Sequence, residues 1–140
     1  GSICDWAMTA DSTGKADDPA GRGRALMKEL FGPAGEQAAA AFDGIAPDLG
    51  RYLVEHVFGD LYQRDGLDLK TREVAAIAGL TALGYAKPHL KTHVLGALNA
   101  GAGRTEIVEL ILQMSAYAGF PAVTTAMMAA REVFEKEDAG

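Results

Sequence analysis

Two of the three histidines lie four residues apart, in TALGYAKPHLKTHVLGALNAG, residues 81 to 101. On a helix, His89 and His93 would stand one turn apart on neighbouring positions. Such a pair can chelate a metal, as in HExxH proteases. Here the stretch reads HLKTH, with no glutamate after the first histidine and no third ligand apparent, so no metal is expected. An imidazole can also act as an acid or base near neutral pH, given a pocket and a partner. The remaining reading is a boundary histidine with an ordinary hydrogen bond. With His89 at zero on a helical wheel, His93 falls near roughly 40°, Leu90 near 100° and Val94 near 140°. His93 therefore borders the apolar stripe, half buried, and His89 lies one step further out.

Glu73 is the second candidate, beside Arg72 near the start of a strongly apolar segment. A carboxylate there is favoured by the helix dipole. Partly buried against Arg72, it could equally shuttle a proton. Glu106, in TEI, reads as an ordinary helix start, and His56 as a residue of an amphipathic helix. Cys4 is the one cysteine, which excludes an intramolecular disulfide and a CxxC redox pair. No GxSxG, Walker lysine loop or GxGxxG after a strand occurs.

The elements that must position these residues are helical. RALMKELFGP stops at Gly32-Pro33, and GEQAAAAFDG is alanine-rich. Pro47 opens a segment in which Leu49, Tyr52, Leu53, Val57 and Leu61 recur at helical spacing, with Gly59 interrupting it. Asp68 is the expected N-cap of a helix over about 70–83, apolar nearly all round and so expected to be the central buried one. Gly84 ends it. Pro88 opens the histidine helix, which Gly101 closes. Thr105 is the expected cap of a helix with Ile107, Leu110, Ile111, Met114 and Ala118 on one face. Past Gly119-Phe120-Pro121, Val123, Ala126, Met127, Ala130, Val133 and Phe134 define the last. The fold class is all-α, with about six or seven helices, in a domain over residues 23–140 preceded by a polar arm, residues 1–22, anchored by Trp6 and Met8.

The 140 residues carry a formal net charge of -6 and 49% hydrophobic residues. An acidic chain without a basic run is a poor nucleic-acid binder. No apolar stretch approaches the ~20 residues that span a bilayer, and GSICDWAMTADSTG is too polar for a secretory signal. A cytoplasmic address is the expectation.

Residues 47 to 136 resemble the carboxymuconolactone decarboxylase family. The matching pieces are VFGDLYQRDGLDLKTREVAAIAGLTALG, LKTHVLGALNAGAGRTEIVELILQMSAYAGFPAV and AAREVF. The resemblance implies an AhpD-like helical bundle that assembles as a homo-oligomer, a trimer or commonly a hexamer. Alkylhydroperoxidase relatives carry a CxxC pair followed by a histidine on the same helix. The thiol positions correspond to Ala86 and His89 and the histidine to His93, so peroxide reduction through a disulfide is excluded. The chain resembles the thiol-free branch. That branch implies cofactor-free decarboxylation, a carboxy-lyase reaction, on a small unsaturated lactone or keto acid. The resemblance makes His93, Glu73 and His89 the expected catalytic residues. Arg72, Tyr117, Met114 and Phe120 are expected to hold a small carboxylic acid. The alternatives are a thiol-independent isomerase or redox enzyme on a related acid, and a non-catalytic ring-forming scaffold that binds a ligand.

Overall fold

The structure, a computed structural model, describes residues 18–140. Cys4, Trp6 and Met8 lie outside the described residues. The chain divides at Asp65 and Gly66 into two compact units. Among the described residues there are helices and turns and no strand, so the all-α expectation holds. None of these helices is long and apolar enough to cross a membrane.

The first unit contains α1 (Pro19–Phe31), α2 (Pro33–Ala40) and α3 (Pro47–Tyr52), which runs into a π-helical turn, Leu53–Phe58, and a short 3-10 turn, Leu61–Gln63. α1 starts at Pro19 rather than near Gly23. Asp18 caps it, accepting the Gly21 N–H at 2.7 Å, and proline suits the first turn because it has no N–H to satisfy. Leu26, Met27, Leu30 and Phe31 pack with Val54 and Phe58, and the Phe31 and Phe58 rings meet edge-on at 5.4 Å. The expected stripe of Leu49, Tyr52, Leu53, Val57 and Leu61 is corrected here. Gly50, Val54 and Phe58 are buried instead, while Leu49, Tyr52 and Leu61 are exposed. Close backbone approach decides this. A Cβ at Gly23 would lie 2.0 Å from the Val54 carbonyl oxygen and one at Gly50 2.5 Å from that of Ala39. The smallest residues, not the largest, mark the contact side.

The second unit contains α4 (Leu69–Leu83), α5 (Lys87–Asn99), α6 (Arg104–Gln113), the short α7 (Ser115–Ala118) and α8 (Phe120–Ala139). Asp68 caps α4 by accepting the Thr71 N–H at 2.8 Å. Gly84 ends α4 in the left-handed conformation, φ 82°, open to glycine at no steric cost. The cap of α6 is Gly103, not Thr105. Glu106, three residues on, folds back to accept the Gly103 N–H at 3.0 Å, the half of a capping box that needs no side chain at the cap. Ile77, Leu90, Val94, Ile107, Ile111 and Val123 form the core, closed by Ala97, Ala126, Ala129 and Ala130. Burying each branched side chain contributes about 1.5–3 kcal/mol, and the alanines let α5 and α8 approach closely.

α4 departs from expectation. It buries one line, Glu73, Ile77 and Thr81, and leaves Ala75, Gly79, Ala82 and Leu83 exposed. A unit this small cannot surround a helix, so apolar composition all round does not bring burial all round.

Ion pairs tie the helix ends. Lys70 Nζ meets Glu106 at 2.9 Å, Lys87 and Lys91 both reach Glu132 at 2.9 and 3.2 Å, and Arg104 meets Asp138 at 2.6 Å. These contacts lower carboxyl pKa values. Thr71 holds Asp68 below its ordinary 3.8, and the Gly103 N–H, then Lys70, hold Glu106 below 4.5. Lys87, then Lys91, lower Glu132, and Arg104 lowers Asp138. A folded-state pKa below the unfolded one adds stability that is present above the unfolded value and lost as pH falls through the folded one. The melting temperature should therefore hold level from neutral pH down to about 5 and decline below the ordinary 4.5 of a glutamate. Glu132→Gln should flatten part of that decline. Circular-dichroism melts across pH 3 to 7 check this, and a melting temperature that rises on acidification would contradict it.

Candidate active site

The buried line of α4 faces α5. Glu73 lies five residues past the α4 cap, with its side chain fully buried. An ionisable group reaches such a place at a cost of several kcal/mol unless a partner compensates it. The partner is His93. Its Nδ1 lies 2.7 Å from Glu73 Oε2, a contact between residues 20 apart in sequence. At that distance ring and carboxyl are hydrogen-bonded, with the ring's tautomer deciding which of the two donates. The His93 side chain is 18% exposed, so the pair runs from the interior to the edge of the unit. The second carboxyl oxygen, Oε1, is buried and has no hydrogen-bond partner among the described residues. An unsatisfied buried acceptor of this kind costs about 1–3 kcal/mol and marks a place for a donor.

The helix registers produce this meeting. On α5 the buried positions are Leu90, Val94, Gly96 and Ala97, and His93 precedes Val94 on the edge of that face. On α4 Glu73 stands one turn before Ile77 and two before Thr81, whose hydroxyl donates to the Ile77 carbonyl at 2.7 Å. Glu73 is thus the charged end of a line that is otherwise satisfied within the helix.

The other candidates scatter. Arg72 is half-buried on α4 beside Glu73, and His89 is exposed on the first turn of α5. Met114 packs partly buried against the core, whereas Tyr117 and Phe120 are exposed on α7 and at the start of α8. Within one chain those two rings do not form a closed wall. His56 is exposed in the first unit, and Glu106 serves the α6 cap and Lys70. A cleft of about 480 Å³ opens between α4 and α6, lined by Val74, Glu106, Glu109, Leu110, Leu112 and Gln113. Neither Glu73 nor His93 lines it, so its chemistry is that of a solvated, acidic groove. Among the described residues no three His, Cys, Asp or Glu side chains gather as a metal-binding group.

A model of the carboxymuconolactone decarboxylase family matches residues 47–132, which include the whole of α4, α5 and α6. The chain belongs to this family. It is 39% identical over 114 residues to an uncharacterised 15.0 kDa protein in the nqo9-nqo10 intergenic region of Paracoccus denitrificans, covering 80% of this chain and 85% of that one. It is 39% identical over 88 residues to 4-carboxymuconolactone decarboxylase of Acinetobacter baylyi, covering 63% and 65%. It is 36% identical over 76 residues to nitrosuccinic acid decarboxylase of Metarhizium robertsii, covering 54% and 52%. The chain thus spans about two thirds of the Acinetobacter protein and about half of the fungal one.

Two substitutions separate the pair's electrostatics from its packing. Glu73→Gln keeps the volume and a hydrogen bond to His93, and should stay within about 1 kcal/mol of the wild type in urea unfolding. Glu73→Ala opens a cavity and strands the ring nitrogen, and should lose about 2–4 kcal/mol. Equal stability of Glu73→Ala and wild type would remove Glu73 from the packed interior.

Proposed function

We propose that the protein is a decarboxylase that removes carbon dioxide from a small unsaturated lactone acid or keto acid, without a cofactor. The observation that carries this reading is the 2.7 Å contact between His93 Nδ1 and the buried Glu73 carboxyl. Two matched relatives bearing decarboxylase names support it. Their names cite different substrates, so the shared element is loss of carbon dioxide and not the acid that loses it.

In a γ-carboxy lactone with a ring double bond, the bond to the carboxylate carbon breaks and its electron pair moves through the ring to form a dienolate. A proton then adds to carbon. The chain must steady the developing negative charge and supply that proton. Donors aimed at a developing oxyanion lower the barrier by a few kcal/mol each, and Arg72 takes this role beside His93. Glu73 holds Nδ1 and fixes the ring's orientation, so Nε2 is the nitrogen that delivers the proton, a contribution of ~10²–10⁴ in rate. His89, exposed on the same helix, serves at most substrate preference. Tyr117, Phe120 and Met114 supply an apolar wall that disfavours the departing carboxylate in its ground state. Because both rings are exposed in the single chain, the wall closes only in a homo-oligomer, a trimer or hexamer. The non-catalytic scaffold reading calls for a pocket lined wholly by apolar residues with His93 hydrogen-bonded away from it, whereas the cleft between α4 and α6 carries Glu106, Glu109 and Gln113.

The test is turnover of γ-carboxymuconolactone, followed by carbon dioxide release or loss of ultraviolet absorbance. His93→Ala should fall at least ~100-fold with helicity and assembly unchanged, while His89→Ala should stay within a few-fold of wild type. An unaltered rate in His93→Ala would take His93 out of the mechanism. A panel of peroxides with a dithiol donor should show no turnover, and turnover there would favour the redox alternative.

A further inference from the structure

The first unit holds a small pocket that the decarboxylase reading does not use. α1, α2 with the turn after it, α3 and the π-helical turn surround about 200 Å³. Ala20, Ala39, Gly50 and Val54 form its inner surface. Gly50 keeps α3 close to α2, since a Cβ there would lie 2.5 Å from the Ala39 carbonyl oxygen. Val54 and Glu55 belong to the π-helical turn Leu53–Phe58, a rare geometry that recurs at functional sites. Four charged side chains complete the lining, two guanidinium groups and two carboxylates. Arg51 is engaged, with Nη2 donating to Asp48 at 3.2 Å and Nη1 to Glu55 at 3.5 Å. Arg24 and Asp43 are exposed, and neither makes an ion pair or a side-chain hydrogen bond with a described residue. One pocket thus carries an unpaired positive group and an unpaired negative group that do not reach each other.

We propose that this pocket binds a small zwitterion of the amino-acid class, its carboxylate on Arg24 and its ammonium on Asp43. A guanidinium presents a planar fork that matches a carboxylate, and an ammonium has three donors for the Asp43 oxygens. A simple anion would answer Arg24 and meet repulsion from Asp43 and Glu55. A simple cation would answer Asp43 and meet repulsion from Arg24. A molecule with both charges answers both, and the apolar inner surface takes the methylenes between them. At roughly 30 Å³ for each liquid water, the space holds about six waters or a molecule of a few carbon atoms. Arg24 and Asp43 precede residue 47, where the family match begins, so the charged pair lies outside the matched region. Glu73 and His93 belong to the second unit, so this inference stands apart from the decarboxylase reading.

Titration of the full chain with glycine, β-alanine and γ-aminobutyrate tests it, because the charge separation grows by one methylene at each step. Backbone amide shifts of Ala20, Gly50 and Val54 in nitrogen-15 spectra report binding. At least one of the three should bind saturably, with a dissociation constant of about 1 mM or tighter. Propionate and propylamine each carry one of the two charges and should bind about tenfold more weakly or not at all. Arg24→Gln and Asp43→Asn should each weaken the best zwitterion by about tenfold with the circular-dichroism spectrum unchanged, and Arg24→Lys should retain part of the binding. No saturable shift with any of the three zwitterions overturns the proposal. So does propionate or propylamine binding as tightly as the best zwitterion, binding that survives both Arg24→Gln and Asp43→Asn, or a set of shifts confined to the second unit.

Discussion

A carboxyl group inside an apolar helical unit is the constraint on which the second half of this molecule turns. Glu73 is fully buried, and the imidazole of His93 lies 2.7 Å from its carboxyl. The helix registers that bring the pair together are those that bury Ile77, Leu90 and Val94. A one-residue slip of α5 would rotate His93 away by about 100° and leave a bare carboxyl in the core. Packing and polar pairing therefore choose the same register, and the pair adds specificity to an interface whose alanines would tolerate several.

The same unit shows how function and stability separate. Its exposed ion pairs clip helix ends together, Lys87 and Lys91 to Glu132 and Arg104 to Asp138, each a modest, solvent-screened contribution. The Glu73–His93 pair is of another kind, costly to bury and incompletely satisfied at Oε1. Structure alone would be served as well by an apolar residue at position 73. A group kept in such a place is a candidate for chemistry, and an unmatched acceptor is what a site awaiting a donor looks like.

Much was legible in the sequence where local physics decides. The Asp68 cap, the Gly84 stop, the prolines that open α3 and α5 and the Gly119 break all follow from hydrogen bonds or dihedral preferences within a few residues. Less legible was which side of each helix is buried. In the first unit Gly50 and Gly23 mark the close contacts, and the large side chains Leu49 and Tyr52 stay outside. At α4, composition gave no direction because nearly every position is apolar. One signal was there to use: Glu73 is the lone charged residue on the turns shared with Ile77 and Thr81, spaced by four.

By itself the sequence determined an all-α chain, the caps and breaks of its helices, the absence of a thiol pair on the histidine helix and membership of the carboxymuconolactone decarboxylase family. It also placed His93 at the edge of an apolar stripe, because that depends only on helical periodicity. Tertiary structure alone decided that Glu73 is buried, that His93 is its partner, and that Tyr117 and Phe120 are exposed. The physical reason is range. Caps and turns are settled by neighbours along the chain, whereas the fate of a carboxyl or a ring is settled by whichever helix packs against it.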